Sequence, residues 1–353
     1  METFGINGFG RIGRTSLRVW WQYHRENLDL KMINTSGSME IEDWVHLVKY
    51  DSNYGVFSEE VSYRKDRTTK EVSDEQPELG VILIGGREIV VTAQRDPAKL
   101  PWGKYGVQTV IESTGVFLTQ EKALLHLQGG AEKVVISAPP KDSSIDTYVI
   151  GVNEEDLKAK EVSHTVTVLS NASCTTNCVA PVAWVMQKHF GIEKAMMTTV
   201  HAYTDDQNLH DNSHRDMRRA RAAAKNIVPT STGAAIAVTE TMPELKNLFD
   251  GLAIRVPVSN GSLSDITFIT KRPVTIDEIN AAMIEESQTD RWKGILAVTN
   301  DPIVSSDISG RRESSIVDLG LTNVVGGTMA KVVSWYDNEY GYCNRLIEQA
   351  YQA

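Results

Sequence analysis

The chain has 353 residues, 41% hydrophobic and 23% charged, which is the composition of a soluble globular protein with room for two domains. A formal net charge of −10 argues against nucleic acid or a membrane surface as the main partner. The three cysteines (Cys174, Cys178 and Cys343) are too few for a disulfide framework, and no apolar run is long enough to span a membrane. Because a strand is predicted almost at the N-terminus, we expect no targeting peptide and a cytoplasmic location.

The first predicted elements form a βαβ unit around a glycine-rich turn. Residues 3–7 are predicted as a strand, residues 11–25 as a helix and residues 28–34 as a second strand. In this setting the glycines of Gly8-Phe9-Gly10-Arg11-Ile12-Gly13 permit a tight turn, a close approach of a pyrophosphate and close helix packing. The helix N-terminus then faces the phosphates. The unit predicts dinucleotide binding, with a purely structural turn as the alternative.

The end of the second predicted strand bears on the choice of cofactor. An acidic residue there would bind the ribose hydroxyls and repel a 2′-phosphate, but the chain runs Asn34-Thr35-Ser36 without a carboxylate. Thr35 and Ser36 can donate hydrogen bonds to a phosphate. The segment therefore predicts acceptance of NADP. The alternative is an ordinary polar loop that holds NAD through Asn34 and backbone groups.

Short apolar runs separated by a helical pattern predict that the sheet continues as a parallel one. The predicted strands cover residues 107–113, 134–138 and 166–170, and a helix is predicted over residues 119–128.

The pattern changes at Cys174. From Val179 to Phe190 the apolar residues keep helical spacing, with Gly191 as the C-terminal cap, and residues 275–278 form a capping box that starts a later helix. Alternating segments predict antiparallel strands over residues 252–258, 263–270, 315–319 and 331–336.

These elements predict an α/β chain with two domains. Residues 1–173 are predicted to form a Rossmann-type, doubly wound domain that binds NAD(P). Residues 174–337 are predicted to form an α+β catalytic domain with a largely antiparallel sheet. The last helix, over about residues 338–353, is expected to pack back on the first domain.

Two residues suggest covalent catalysis. Cys174 begins a helix among small polar residues, where the helix N-terminus or a neighbouring histidine can lower the thiol pKa enough to give thiolate at neutral pH. His201, at the end of a strand-like run, is the candidate base and could form a thiolate–imidazolium pair with the cysteine. The alternatives are an inert thiol, which is also the favoured interpretation of Cys178, and an ordinary hydrogen-bonded histidine.

Arginines supply candidate anion sites in this acidic chain. Four arginines fall within residues 215–221, where they could form a phosphate site, a subunit contact or a solvated helix face. Arg255 lies inside the apolar segment 252–258. A buried arginine needs an anionic partner, and a substrate phosphate would be suitable.

Long motifs in order along nearly the whole chain resemble those of phosphorylating glyceraldehyde-3-phosphate dehydrogenases. They cover residues 6–14, 170–178, 201–206, 218–224 with Asn226 and Pro229, 231–235, 255–257 and 334–342. The resemblance implies reversible oxidation and phosphorylation of D-glyceraldehyde 3-phosphate to 1,3-bisphosphoglycerate, with hydride transfer to NAD(P). It implies thiohemiacetal and thioacyl intermediates on Cys174, with His201 as the base. It also implies a homotetramer, in which residues 210–221 line a neighbouring subunit's cofactor site.

The resemblance further implies which residues contact the ligands. Those for the substrate's own phosphate are Thr204, Asp206 and Arg255, and Arg219 belongs to the same phosphate-binding set. Those for the attacking inorganic phosphate are Ser173, Thr175, Thr232 and Gly233. The cofactor set is Gly8, Phe9, Gly10, Arg11, Ile12, Gly13, Asn34, Thr35, Ser36, Arg95, Ser113, Thr114, Ser137, Ser213 and Asn338. Asn338 corresponds to the residue that orients the nicotinamide amide, and no metal is expected.

The chain departs from the NAD-specific members of this family at two positions. Those members carry Asp where Thr35 stands and Pro where Ser213 stands. Hydroxyl residues at Ser36 and Ser213 resemble the photosynthetic, NADP-using branch, and Arg95 is placed to add positive charge near the adenosine. We therefore predict use of NADP or of both cofactors. An additional polar stretch over residues 64–88 has no assigned function.

Other interpretations stay open at this point. Erythrose-4-phosphate dehydrogenases look similar overall but depart from this chain in the blocks at residues 201–204 and 230–233. Aspartate-semialdehyde-type dehydrogenases share the thiol chemistry on a similar architecture but lack these blocks. A non-catalytic thiol redox sensor is the alternative of a different class, although every expected catalytic position is filled.

Overall fold

The chain divides into two compact units in the computed structural model, which describes residues 1–155, 157 and 166–352. The first unit comprises Met1–Thr147, Glu155–Asn171 and the chain from Cys343 onwards; the second comprises Tyr148–Glu154 and Ala172–Tyr342. Residues 156 and 158–165 of the predicted first domain, and Ala353 of the predicted last helix, lie outside the described residues. Within the described ranges, no helix is both long and apolar enough to cross a membrane.

The elements follow in chain order. The strands of the first unit are β1 (Glu2–Asn7), β2 (Leu28–Thr35), β3 (Tyr50–Asp51), β4 (Gly55–Val56), β5 (Val61–Lys65), β6 (Glu78–Ile84), β7 (Arg87–Ala93), β8 (Thr109–Glu112), β9 (Lys133–Ile136), β10 (Asp146–Thr147) and β11 (Val168–Ser170). Its first helices are α1 (Arg11–Val19), α2 (Ile41–Lys49), α3 (Gln120–Ala123) and α4 (Leu125–Gln128). The strands of the second unit are β12 (Ile192–Ala202), β13 (Val228–Thr230), β14 (Phe249–Val256), β15 (Ser262–Thr270), β16 (Leu296–Thr299), β17 (Ser315–Asp318), β18 (Asn323–Val325) and β19 (Met329–Tyr336). Its helices are α5 (Cys174–Phe190), α6 (Ala234–Thr241) and α7 (Ile276–Ser287), and the last helix of the chain is α8 (Tyr340–Gln352).

The sheet of the first unit is parallel at its centre and antiparallel at one edge. Its described strands lie in the order β10-β11-β9-β8-β1-β2-β7-β6-β5, and only the β5–β6 and β6–β7 pairs are antiparallel. The central parallel strands are buried, as in β8, where all four residues are buried, because helices cover both faces of such a sheet. The strands that follow β1 in the chain lie on both of its sides, β2 on one side and β8 on the other. Doubly wound folds bind nucleotides in the crevice at such a point, where the strand order reverses. The predicted Rossmann-type fold is confirmed.

The sheet of the second unit is mostly antiparallel, as predicted. Its path is β13-β14-β12-β15-β19-β17-β16, with β18 beside β19, and only the β12–β14 and β16–β17 pairs are parallel. Helix α5 packs on this sheet through Val182, Met186 and other buried apolar residues that it repeats at helical spacing. Helix α7 begins at the predicted capping box, where Thr275 accepts from Glu278 N (3.2 Å) and donates its own N–H to the Glu278 carboxylate (2.8 Å).

Candidate active site

Cys174 is the first residue of α5, and the backbone before it is strained. Ser173 caps the helix, its Oγ accepting from Thr176 N (3.1 Å). The preceding Ala172 is buried at φ 56°, a left-handed conformation that non-glycine residues rarely adopt. Tyr342 holds this turn by donating from its hydroxyl to Ala172 O (3.1 Å). Strain of this kind persists where the surrounding structure fixes it, and here it aims the thiol from the start of the helix.

His201 lies beside this thiol. It is the next-to-last residue of β12, is 3% exposed, and its Nε2 is 3.4 Å from Cys174 Sγ. The strand pairing aligns His201 with Arg255 of β14, which brings the guanidinium to the other side of the imidazole. The predicted nucleophile, base and buried arginine therefore meet in one cluster within the second unit.

The imidazole is held through its second nitrogen. His201 Nδ1 is 2.7 Å from Ala202 O, and Arg255 Nη1 is 2.7 Å from the same Nδ1 and 3.1 Å from Ala202 O. If Nδ1 carries the proton and donates it to Ala202 O, the unprotonated Nε2 faces the thiol and can accept its proton. An anion that draws the guanidinium towards itself would favour this tautomer.

The protonation of the resting pair differs from the sequence-based expectation. Burial, together with the positive charge of Arg255, lowers the pKa of His201 to about 3. Burial likewise raises the pKa of Cys174, although Arg255 and a hydrogen bond from Thr175 act in the opposite direction. The expected lowering of the thiol pKa is therefore wrong for this site without ligands, because desolvation outweighs the nearby positive charge. The resting site holds a thiol beside a neutral imidazole.

Arg255 is half-buried, and its charge lacks a counterion among the described residues. Burial lowers the pKa of its guanidinium, and its Nε is inaccessible without a hydrogen-bond partner among the described residues. Among the described residues this side chain has no ion pair, and the nearby Asp206 is paired with Arg219 instead. A cation in this state is suited to an anionic ligand that satisfies its remaining donors.

A second arginine beside this cluster is already paired. Arg219 forms an ion pair with Asp206, donates from Nε to Thr230 Oγ1 (3.0 Å) and from Nη2 to Ser231 O (3.1 Å). Asp206 thus neutralises and orients Arg219, and a carboxylate would not itself attract a phosphate. Helix α6 begins shortly after Ser231, at Ala234. Gly233 is its N-cap residue, and Thr232 Oγ1 accepts from Ala234 N (3.2 Å). Backbone N–H groups at such a helix start favour an anion.

Sequence reasoning missed Tyr336. Its buried hydroxyl is shared with Thr175 Oγ1 (2.9 Å) and Thr199 Oγ1 (2.8 Å), and its ring meets that of His201 edge-on at 5.9 Å. Thr175, predicted to contact phosphate, is thus engaged with Tyr336 and is 4% exposed. The available signal was a tyrosine at a buried position of the last strand, which is common in cores without function.

The predicted dinucleotide turn in the first unit has the geometry that the motif requires. Gly8 has φ 97°, and a Cβ at Gly13 would lie 2.1 Å from Gly8 O, so strand and helix approach too closely for any other residue. A Cβ at Gly10 would meet nothing within 4 Å, which leaves open space at the start of α1. The Arg11 side chain pairs with Asp51 (2.5 Å), which neutralises its charge and directs it to that carboxylate. The glycine-rich turn and the start of α1 therefore fit a pyrophosphate.

The residues at the ends of β2 and β7 differ in whether they can contact a 2′-phosphate of the cofactor. Asn34 is saturated, with Nδ2 donating to Asn7 Oδ1 (2.7 Å) and Gln94 O (2.8 Å). The Thr35 hydroxyl is buried and donates to a strand carbonyl (3.0 Å). The prediction that it donates to a phosphate is therefore wrong, since tertiary packing has used its proton. Ser36 and Arg95 are exposed, with Ser36 Oγ donating to Ser38 Oγ (2.9 Å) and Arg95 Nε 3.4 Å from Ser36 O, so solvent-side contacts are all that a ligand would have to replace.

The remaining predicted cofactor residues are spread over both units. Phe9 is buried against Trp44, and Ile12 is half-buried on α1. Ser113 Oγ donates to Gly8 O (2.8 Å), which ties the end of β8 to the turn. The other members lie as follows: Thr114 bonds Glu112, Ser137 N donates to Glu112 O (2.9 Å), Ser213 is exposed, and Asn338 Oδ1 accepts from Ser262 (2.9 Å). Thr204, predicted to contact the substrate's phosphate, is half-buried.

Comparison with known proteins matches both units to the same family. A family profile described as glyceraldehyde 3-phosphate dehydrogenase, NAD binding domain, matches residues 3–120, and one described as glyceraldehyde 3-phosphate dehydrogenase, C-terminal domain, matches residues 173–338. The chain is 47% identical over 344 residues to a glyceraldehyde-3-phosphate dehydrogenase of Streptomyces coelicolor, covering 98% of this chain and 96% of that protein. It is 46% identical to glyceraldehyde-3-phosphate dehydrogenase 1 of Bacillus subtilis, with 98% and 96% covered. It is also 47% identical to the chloroplastic glyceraldehyde-3-phosphate dehydrogenase B of Pisum sativum, with 98% and 72% covered.

Proposed function

The chain belongs to the glyceraldehyde-3-phosphate dehydrogenase family, and on this premise we propose that it reversibly oxidises and phosphorylates D-glyceraldehyde 3-phosphate to 1,3-bisphosphoglycerate. The observation that carries the proposal is the cluster of Cys174, His201 and Arg255. It combines a thiol, a neutral base 3.4 Å away and a half-buried arginine whose Nε has no partner among the described residues. A phosphorylated aldehyde needs all three, because its carbonyl requires a nucleophile and its phosphate requires a cation.

The reaction follows from the order in which these groups act. Cys174 Sγ attacks the aldehyde carbon while His201 Nε2 takes the thiol proton, and the imidazolium returns this proton to the former carbonyl oxygen, which leaves a thiohemiacetal on the cysteine and a neutral base. His201 then assists removal of the hemiacetal hydroxyl proton as the C–H hydride departs. The nicotinamide, when bound, accepts that hydride. A phosphate oxygen finally attacks the thioester carbonyl and the cysteine leaves as thiolate, which releases the acyl phosphate.

The anion contacts are proposed around the two arginines. Arg255 supports a shared role, because its Nε has no hydrogen-bond partner among the described residues and its Nη1 contacts the base. Thr204, Asp206 and Arg219 are proposed for the substrate's phosphate, with Asp206 acting by holding Arg219. The start of α6 at Thr232 and Gly233, with Ser173 and Thr175 at the start of α5, is proposed for the attacking phosphate.

An Arg255→Leu variant is expected to lose kcat/KM for the aldehyde and for inorganic phosphate, each by about 10- to 100-fold, since a charge-assisted contact is removed from both anions. Steady-state kinetics with each substrate varied in turn measures the two losses. Arg272→Leu, which removes an exposed arginine paired with Glu278, is the matched control and should leave both values unchanged. A loss for only one anion would contradict a shared site.

NAD, NADP or both serve as cofactor, and we propose that Ser36 and Arg95 decide how well NADP is used. An Arg95→Ala variant is expected to lower kcat/KM for NADP about 10-fold while that for NAD stays within about threefold, because only the 2′-phosphate needs the charge. Arg64→Ala removes another exposed arginine of the same unit and serves as control. Equal losses with both cofactors would show that Arg95 does not read the 2′-phosphate.

The direct test of the proposed function is the initial rate with glyceraldehyde 3-phosphate and phosphate, with NAD and NADP titrated separately. Phosphate-dependent reduction of either cofactor supports the proposal. Turnover of erythrose 4-phosphate alone would favour the rival dehydrogenase. Cofactor binding and reversible thiol oxidation without any turnover would favour a redox sensor.

We propose further that the chain assembles as a homotetramer in the cytoplasm, with residues 1–173 and the last helix as cofactor domain and residues 174–337 as catalytic domain. The assembly is supported by large apolar side chains that the second unit exposes, namely Met196, Leu209, Met217 and Ile227. The location is supported by three cysteines that are all unpaired thiols. Light scattering should give a mass of four chains, and a monomer mass would exclude the tetramer.

A further inference from the structure

A buried serine, Ser262, connects the backbone beside His201 to Asn338. Ala202 N donates to Ser262 Oγ (3.1 Å), and Ser262 Oγ donates to Asn338 Oδ1 (2.9 Å). Ser262 is 1% exposed and Asn338 is 5% exposed, so water does not compete freely for these bonds. A backbone N–H can only donate, and the serine hydroxyl therefore has its own proton left for the asparagine oxygen.

A second contact fixes the turn that carries Asn338. The buried Asp337 accepts from Asn260 Nδ2 (2.9 Å) and from three backbone N–H groups at 2.7–2.9 Å. Asn260 and Ser262 flank Gly261, which has φ 83° and where a Cβ would lie 2.2 Å from a backbone oxygen. Only glycine allows this bend, which lets the residues on both sides hold two successive positions of the turn.

The hydrogen bond from Ser262 leaves one end of the Asn338 side-chain amide available. Its Oδ1 is bound to Ser262, whereas Nδ2 has no hydrogen-bond partner among the residues that the structure describes. A planar amide has two orientations related by a flip, and the flipped one would leave the serine proton without its acceptor. The orientation that satisfies Ser262 presents a donor, not an acceptor, to a ligand.

We propose that Ser262 is a positioning residue that holds the Asn338 amide with Nδ2 directed to the carboxamide oxygen of the nicotinamide ring. This inference rests on the proposed function, in which Asn338 contacts that ring. The ligand group it selects is a carbonyl acceptor. Because Ser262 also binds Ala202 N, the same hydroxyl sets the cofactor contact relative to the backbone of the catalytic base.

The test compares the binding of NAD and of ADP-ribose, which lacks only the nicotinamide, by calorimetry. In a Ser262→Ala variant, the Kd for NAD is expected to rise about 3- to 10-fold, the effect of one lost hydrogen bond, while the Kd for ADP-ribose stays unchanged. Ser264→Ala is the matched control, since this buried serine lies two residues along the same strand beside Cys178. An equal rise for both ligands, or none for either, would overturn the proposal.

A double-mutant cycle separates positioning from a general loss of structure. If Ser262 acts through Asn338, adding Ser262→Ala to Asn338→Ala should not weaken NAD binding further. Additive losses would overturn the proposal even if every variant folds. Wild-type turnover of glyceraldehyde 3-phosphate is measured in parallel. If Ser262→Ala weakens NAD binding as expected but the wild type does not oxidise the aldehyde, the proposed function fails and the positioning role of Ser262 stands.

Discussion

A Cys174→Ser variant is expected to lose oxidation of glyceraldehyde 3-phosphate by about 10⁴-fold or more while it binds NAD and NADP as the wild type does. The hydroxyl of serine is far less acidic than a thiol, and it also leaves a tetrahedral intermediate as a poorer group. His201 stays in place because its contacts to Ala202 and Arg255 do not involve the sulfur. Steady-state rates and cofactor titration measure the two properties separately.

The matched control for this prediction is Cys178→Ser. Burial raises the pKa of Cys178 to about 12, and its sulfur lies 3.8 Å from Ser334 O, inside the core. A thiol in this setting is almost never ionised at neutral pH, so the control should keep full activity unless it destabilises the fold. Iodoacetamide should alkylate Cys174 in the wild type, and it should alkylate no thiol in the Cys174→Ser variant. Turnover that persists without Cys174 would contradict covalent catalysis.

The sequence predicts the parallel centre of the first sheet well, because buried parallel strands are continuous apolar runs and need no knowledge of the partner strand. It predicts boundaries less well. The helix expected over residues 11–25 ends at Val19 and continues as a π-helical turn over Trp20–His24, and the helix over residues 119–128 is broken at Leu124. Such breaks depend on tertiary packing, which periodicity does not contain.

The polar stretch over residues 64–88 shows the same limit. It contains β6 and the ends of β5 and β7, which form the antiparallel edge of the sheet. Asp74 within it accepts from Gln94 Nε2 (3.0 Å), next to Arg95. The edge strand β5 is exposed beyond Val61 and gives a weak apolar pattern. Strand β6 is a buried apolar run, which the description of the whole segment as polar overlooked.

The candidate site could be predicted in its chemistry but not in its electrostatics. Motif and spacing identify Cys174 and His201 as partners, and the 3.4 Å separation agrees with that pairing. The direction of the thiol pKa depends on how much water is excluded and on where Arg255 lies, and both are properties of the folded chain. The Thr35 hydroxyl illustrates the same point, because only the fold shows that Thr92 O takes its proton.

The second large effect is expected for His201→Asn, which should lower kcat/KM for the aldehyde by about 10²- to 10⁴-fold, the usual contribution of a general base. Because burial raises the pKa of Cys174, little thiolate exists at neutral pH without a base to take the proton. Alkylation of Cys174 at pH 7 should therefore slow as well. His189→Asn, which removes a histidine bound to Glu286 away from the thiol, is the control.

The pH dependence tests the same assignment from the other side. In His201→Asn the alkylation rate should rise with pH as the thiol with its raised pKa ionises, so the difference from the wild type should narrow at alkaline pH. In the wild type, the folded pKa of His201 is about 3, below the unfolded value of 6.5, so the unfolded chain binds the extra proton between these values. Stability therefore falls as pH drops through that window, and His201→Asn should lose less melting temperature there. Alkylation that is equally fast in both proteins at pH 7 would mean that the start of α5 alone activates the thiol.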